Sequence, residues 1–99
     1  WASGEGVDLR WTLAALDDLR EAGEYIAKEE PAAAQRMAGR VREAVEYLLD
    51  HPNLGRGGRL RATRELVVTG TPFIVIYRVR LDTVQILRVL HHARKWPAV

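Results

Sequence analysis

No cysteine occurs among the 99 residues. That removes disulfides, thiolate nucleophiles and cysteine-ligated zinc at once. No apolar run approaches the ~20 residues of a membrane-spanning helix. Nothing near the start has the apolar centre of a secretory leader, so the cytoplasm is the expected compartment. The three histidines, His51, His91 and His92, lack ligand spacing on any one element, and neither a metal nor a cofactor is expected. The glycine-rich stretch from Asn53 to Gly58 has no Gly-x-x-x-x-Gly-Lys pattern and reads as a connection, not a phosphate loop.

The second half of the chain is also short of acid. Residues 1–50 carry six Arg/Lys against eleven Asp/Glu, whereas residues 51–99 carry nine Arg/Lys against only Glu65 and Asp82. The formal net charge of +2 hides this division. A basic half next to an acidic one makes the basic half a candidate surface for an acidic partner, protein or nucleic acid. With 47% hydrophobic and 28% charged residues, the composition is that of a folded globular chain, and the length fits one domain.

Trp1 to Gly6 has no periodicity and reads as a tag remnant or processed tail, leaving a single domain over residues 7–97. Val7 to Trp11 alternates weakly, as a short strand does. Thr12 is a candidate N-cap for a helix from Leu13 to about Glu29, with Leu16, Leu19, Gly23 and Ile26 as its apolar stripe. Pro31 suits the first turn of a second helix, which runs to about Asp50 and buries Ala34, Met37, Val41, Ala44, Val45 and Leu48. His51-Pro52 ends it. Two such helices on a short link predict an antiparallel hairpin. The remainder reads as an antiparallel meander: Arg64 to Val68, Phe73 to Val79 and Val84 to Leu90, with turns at Thr69–Pro72 and Leu81-Asp82.

The expected fold class is therefore α+β, a helix hairpin packed on one face of a small antiparallel sheet. With the last turn at Leu81-Asp82, strict alternation separates two faces. Ile74, Ile76, Leu87 and Val89 form the aliphatic face expected under the helices. Phe73, Val75, Tyr77, Ile86 and Leu90 form the other, with Arg88 and His92 among them. Two helices cover one face only, so the second is expected to be covered by a partner segment or a second copy of the chain. Phe73, Val75, Tyr77, Ile86, Arg88 and Leu90 are the partner-binding candidates on this reading.

The segment Arg64-Glu-Leu-Val-Val-Thr-Gly-Thr-Pro-Phe-Ile-Val-Ile-Tyr-Arg-Val79 resembles the central hairpin of ParE-type toxins. Val84-Gln-Ile-Leu-Arg-Val-Leu-His-His-Ala-Arg-Lys-Trp-Pro97 resembles their last strand and tail. Asp18-Leu19, Tyr25-Ile26 and Glu30-Pro31-Ala-Ala33 match in order and spacing, so the resemblance to the RelE/ParE superfamily covers nearly the whole chain. It implies a type II toxin neutralised by a small ParD-like antitoxin, whose acidic C-terminal segment orders on binding. It also implies one of two activities. ParE-like members poison DNA gyrase without being enzymes. RelE-like members cleave mRNA in the ribosome, using cationic side chains and a proton-moving His or Tyr instead of a metal.

For the nuclease route the candidates are Arg88, His92, Tyr77, Arg64 and Lys95. For an inhibitor surface they are Arg59, Arg61, Arg64, Arg94, Lys95 and Trp96, since interfaces favour Arg and Trp. Nuclease relatives often carry an arginine where this chain has Thr71-Pro72-Phe73, and often end in a shorter tail. Both departures favour gyrase inhibition. The alternatives are a ribosome-dependent endoribonuclease and a degenerate, inactive binding module. Adjacent in a strand, His91 and His92 are expected on opposite faces.

Overall fold

The computed structural model describes residues 8–92 and Trp96; the N-terminal tail expected over residues 1–6 lies outside them. In chain order the elements are β1 (Asp8–Trp11), α1 (Leu13–Ala27), α2 (Pro31–Tyr47), β2 (Arg56–Gly57), β3 (Arg64–Val67), β4 (Phe73–Arg80) and β5 (Thr83–His91). The sheet order is β1-β5-β4-β3-β2. The meander of β3, β4 and β5 is antiparallel as the pattern predicts, and two-residue β2 extends it on one side. β1, however, pairs parallel to β5, which makes the sheet mixed. The sequence shows a strand at Val7–Trp11 but nothing that fixes its direction.

Local chemistry sets the helix boundaries. The Thr12 hydroxyl accepts the Ala15 N–H at 3.1 Å, the side-chain cap expected at an N-terminus, and itself donates to the Leu87 carbonyl at 3.0 Å. One residue thus starts α1 and ties it to β5. Pro31 opens α2 where its missing N–H costs nothing. The stripe Ala34, Val41, Val45 and Leu48 is buried as expected, whereas in α1 only Ala15 is fully buried and Leu16 stays about half exposed.

The β4–β5 hairpin turns at Leu81-Asp82 with Val79 opposite Val84, as expected. The register then slips at a β-bulge between Ile76 and Tyr77: Tyr77 pairs with Ile86, but Ile76 pairs with Arg88. The bulge inserts Leu87 and moves every later β5 residue one place relative to simple alternation.

The opposite choice of face reverses the expected arrangement for β4, Ile86 and Leu87, while the slip restores it beyond the bulge, so that Val89 lies under the helices and Arg88 and Leu90 on the far face as expected. Phe73, Val75, Tyr77 and Ile86 lie in the core under the helices, with Val84, Val89, Leu48, Val41 and Val45. Ile74 and Ile76 are on the far face with Leu90, and Leu87 packs there too. The physical reason is legible in β4 itself. Arg78 and Arg80 share the parity of Ile74 and Ile76, and two guanidinium groups cannot sit beneath a helix pair without partners. Phe73, Val75, Tyr77 and Val79 carry no charge.

Tyr77 is the largest fully buried side chain. Its hydroxyl donates to the Pro52 carbonyl and accepts the Gly55 N–H, both at 2.8 Å. The hydroxyl thereby pins the loop after α2 to the sheet. Gly55 has to be glycine, because a Cβ there would come within 2.7 Å of the Tyr77 ring and 3.0 Å of the Glu65 carbonyl. Removing the hydroxyl leaves one buried donor and one acceptor unpaired, a loss of about 1–3 kcal/mol. Tyr77→Phe should therefore lower the urea midpoint with an unchanged m-value; a midpoint equal to wild type would show that the pin is not needed.

Candidate interaction surface

The far face of the sheet collects the charged side chains that its near face excludes. Directly opposed residues share a face. The register therefore places Ile74 with Leu90, Ile76 with Arg88 and Glu65, and Glu65 with Arg56. Beyond them come Arg78 with Gln85, Gln85 with Arg10, and Arg80 with Thr83. One half is thus apolar with a charged rim and the other is basic.

The apolar half is not open. Ile74, Ile76 and Leu90 are at most 7% exposed, and Trp96 packs against them with Leu87. The face expected to await a partner is covered in part by the chain's own Trp96. Of the six residues first named for partner binding, Phe73, Val75, Tyr77 and Ile86 are core residues beneath the helices, for the reason given above. Leu90 and Arg88 do belong to the far face.

Two carboxylates organise the rim. Asp18 on α1 makes a two-pronged pair with Arg88, at 2.7 Å to Nε and 2.9 Å to Nη2, and accepts the Val89 N–H at 3.0 Å. β1 pairs with β5 only as far as Ile86, so Asp18 satisfies an edge donor the sheet leaves free. The hydrogen bonds that Arg88 donates to Asp18 raise its pKa against a smaller, opposite effect of burial. The same guanidinium lies 5.7 Å from the centre of the Trp96 ring, a cation–π contact.

Glu65 is the second. It is 2% exposed, with Arg56 at 3.3 Å, Arg59 at 3.4 Å and the Arg59 N–H at 3.0 Å. Arg59 extends the chain of contacts to the Trp96 carbonyl at 2.9 Å. Burial pushes the Glu65 carboxyl up, but the Arg59 N–H, Arg56 and the Arg59 charge outweigh it and hold the group below its ordinary value.

The nuclease candidates among the described residues, Tyr77, Arg64, Arg88 and His92, are not brought together. Tyr77 sits on the near face with its hydroxyl committed twice, and burial raises its pKa against the opposing effects of Gly55 and Arg64. Arg64, opposite Tyr77, donates to the carbonyls of Gly55 at 2.7 Å and Asn53 at 3.4 Å. Arg88 lies across the sheet, paired with Asp18. His92 is exposed beyond the end of β5, its ring 4.8 Å from that of His91 in a stacked arrangement. The two histidines therefore do not diverge as strand alternation predicts, because the strand ends between them. Among the inhibitor candidates, Arg59 and Trp96 are joined directly and Arg61 is exposed. Arg94 and Lys95 lie outside the described residues.

Asp18 and Glu65 are the organising residues that sequence reading missed. Glu65 had a visible signal: a lone acid in a strand amid nine cations. Asp18 had none, because its partner is 70 positions away.

Apolar surface left for a partner lies on the other side and along an edge. An open groove of about 440 Å³ between α1 and α2 is lined by Leu16, Leu19, Gly23, Ala34 and Ala38, with Arg20 and Arg42 at its margin. A second, of about 340 Å³, runs beside β3 between Tyr47, Leu54 and Val67. β2 covers β3 only at Arg64 and Glu65, so Leu66 and Val67 keep an unpaired backbone edge.

A family model described as the ParE toxin of the type II toxin–antitoxin system, parDE, matches residues 9–96. "Putative toxin Y4kP" of Sinorhizobium fredii is 47% identical over 91 residues, 92% of this chain and 94% of the relative. "Toxin RelE2" of Caulobacter vibrioides is 42% identical over 84 residues, 85% and 93% respectively. Among solved structures, the chromosomal ParDE system from P. aeruginosa superposes with a TM-score of 0.77 at 27% identity, covering 84% of this chain and 92% of that one. The RelBE2 toxin–antitoxin complex from Mycobacterium tuberculosis gives a TM-score of 0.62 at 26% identity, covering 87% and 98%.

The Glu65 network predicts a pH signature. Its folded-state pKa lies below the unperturbed 4.5, so its stabilisation is complete above that value and fades as pH falls through the folded-state pKa. Glu65→Gln should be less stable at pH 7 by about 1–3 kcal/mol. It should also lose less stability than wild type on acidification below 4.5, read from urea melts across that window. Parallel pH profiles would show that Glu65 is not held ionised by its arginines.

Proposed function

Because this chain belongs to the ParE toxin family of type II toxin–antitoxin systems, we propose that it acts in the cytoplasm by inhibiting DNA gyrase and is silenced by a cognate ParD-like antitoxin. The observation that carries the choice of target is the dispersal of the nuclease candidates over two faces. Acid–base cleavage needs a proton donor or acceptor within hydrogen-bond reach of the same phosphate that the cations grip. Here Tyr77 is locked under the helices and Arg64 is occupied by backbone carbonyls. Arg88, on the far side, is bound by a carboxylate. Each of these groups has a structural task. A surface that works by contact has no such requirement.

Antitoxin binding fits the two apolar grooves. The groove between α1 and α2 is open and small-residue-lined, with the Arg20–Glu24 pair and Arg42 at its margin, which suits the apolar face of an amphipathic helix, with Arg42 placed for an acid on it. The free edge at Leu66 and Val67 suits an extended continuation of the same segment, pairing backbone to backbone.

Two measurements test this. Purified toxin should block supercoiling by gyrase and leave mRNA intact in a translating ribosome extract; codon-dependent cleavage with normal supercoiling would reverse the assignment. Leu16→Glu combined with Ala38→Glu should weaken binding of the cognate antitoxin about tenfold or more, roughly 1.4 kcal/mol, with the thermal midpoint nearly unchanged. Undiminished binding would remove the antitoxin from this groove.

A further inference from the structure

Some of the described arginines are committed to the fold and some are not, and the exposed Arg36 and Arg42 of α2 and Arg61 before β3 belong with the uncommitted ones. Arg20, Arg40, Arg56, Arg59, Arg64 and Arg88 are engaged by carboxylates or carbonyl oxygens. Arg10 and Arg80 are exposed and make no such contact. Arg78 is held only through Nε, which donates to the Gln85 side chain at 2.7 Å, leaving its two terminal nitrogens available. The register places these three on the same face.

Arg78 and Arg80 are two residues apart on β4, about 6.8 Å along the strand, and Arg10 lies two strands away, roughly 9.5 Å across. The nearby acids are Asp8 and Asp82 at the end of the sheet, and among the described residues neither is paired with these arginines. Asp8, opposite Thr83 and so in one row with Arg80, shares this face, which among the described residues carries three guanidinium groups against one carboxylate and stays net positive.

We infer that Arg10, Arg78 and Arg80 form a docking face for the phosphate backbone of duplex DNA. Guanidinium groups match phosphate oxygens in pairs of hydrogen bonds, and Gln85 holds the central one ready. The basic half of the face favours a phosphate backbone over an acidic protein because it lacks an anchor. Protein interfaces draw their energy from buried Trp, Tyr and Arg in packed pockets. At this end of the far face the exposed large apolar side chain among the described residues is that of the turn residue Leu81, since Val79 pairs with Val84 on the helix side. A phosphate backbone requires only placed positive charge, and duplex contact needs no stacking aromatics. The inference does not depend on gyrase being the target, since DNA contact and supercoiling inhibition are read separately.

The test is a fluorescence-anisotropy titration of a labelled 20-base-pair duplex with the purified chain over a salt series. Three phosphate contacts predict a log–log salt slope of about −2.7, hence roughly 40-fold weaker binding at 200 mM than at 50 mM salt. The variant R10Q/R80Q changes two exposed, uncommitted side chains and leaves the fold intact by circular dichroism. It should weaken binding at least tenfold and reduce the slope by about 2. The charge-matched variant K28Q/R36Q, on the helices, should bind within about twofold of wild type.

Equal losses in the two variants would reduce the effect to net charge and overturn the inference. So would a slope near zero, single-stranded RNA binding tenfold tighter than the duplex, or a polyglutamate peptide displacing the duplex at equal charge concentration. Wild-type duplex binding by R10Q/R80Q would overturn it as well.

Discussion

The Asp18 carboxylate is the contact on which the far face depends. One side chain on α1 takes up the backbone donor that β5 exposes where β1 stops, and grips the guanidinium of the preceding residue. Without it, Arg88 would have no reason to lie along the sheet edge, and the Trp96 ring would lose the cation beside it. The pair is only partly exposed, so its attraction is screened less than that of a surface ion pair. Glu65 plays the matching part at the other end of the face, where Arg59 carries its influence to the Trp96 carbonyl. The two acids hold one indole between them from opposite edges of the sheet.

Much of the architecture could be read from the chain. The Thr12 cap, the Pro31 start, the α2 stripe and the Leu81-Asp82 turn all follow from local chemistry, and local chemistry is what a sequence displays. The faces of the sheet could not be read as reliably. A bulge at Leu87 leaves no signature in composition, yet it moves each later side chain of β5 relative to β4. The choice of face for β4 was available: Arg78 and Arg80 share the parity of Ile74 and Ile76, and that should have outweighed the attraction of a purely aliphatic set. Direction of the first strand and the Asp18–Arg88 pairing are long-range facts, settled by packing between the two ends of the chain.

Charge is distributed with a corresponding economy. The acids of the first half sit largely on the helices, while the basic second half divides its arginines between maintenance of the fold and exposure. Arg56, Arg59, Arg64 and Arg88 brace loops and edges, so replacing them would confound any binding measurement with loss of structure. Arg10 and Arg80 are not committed in this way. The inhibitor set first chosen for its position in the sequence mixes both kinds, since Arg59 and Arg64 brace while Arg61 does not.

The parallel pairing of β1 with β5 also governs when the molecule comes into being. The strand synthesised first has no partner until the strand synthesised near the end has appeared, and the Thr12 hydroxyl must wait for a carbonyl 75 positions later. Contacts so distant in sequence close slowly, after the entropy of the long intervening loop has been overcome. A chain made only as far as β4 lacks the seat of Arg88 and the support for Trp96. The order of synthesis thus makes β5 the strand on which the sheet, the first helix and the far face all close together.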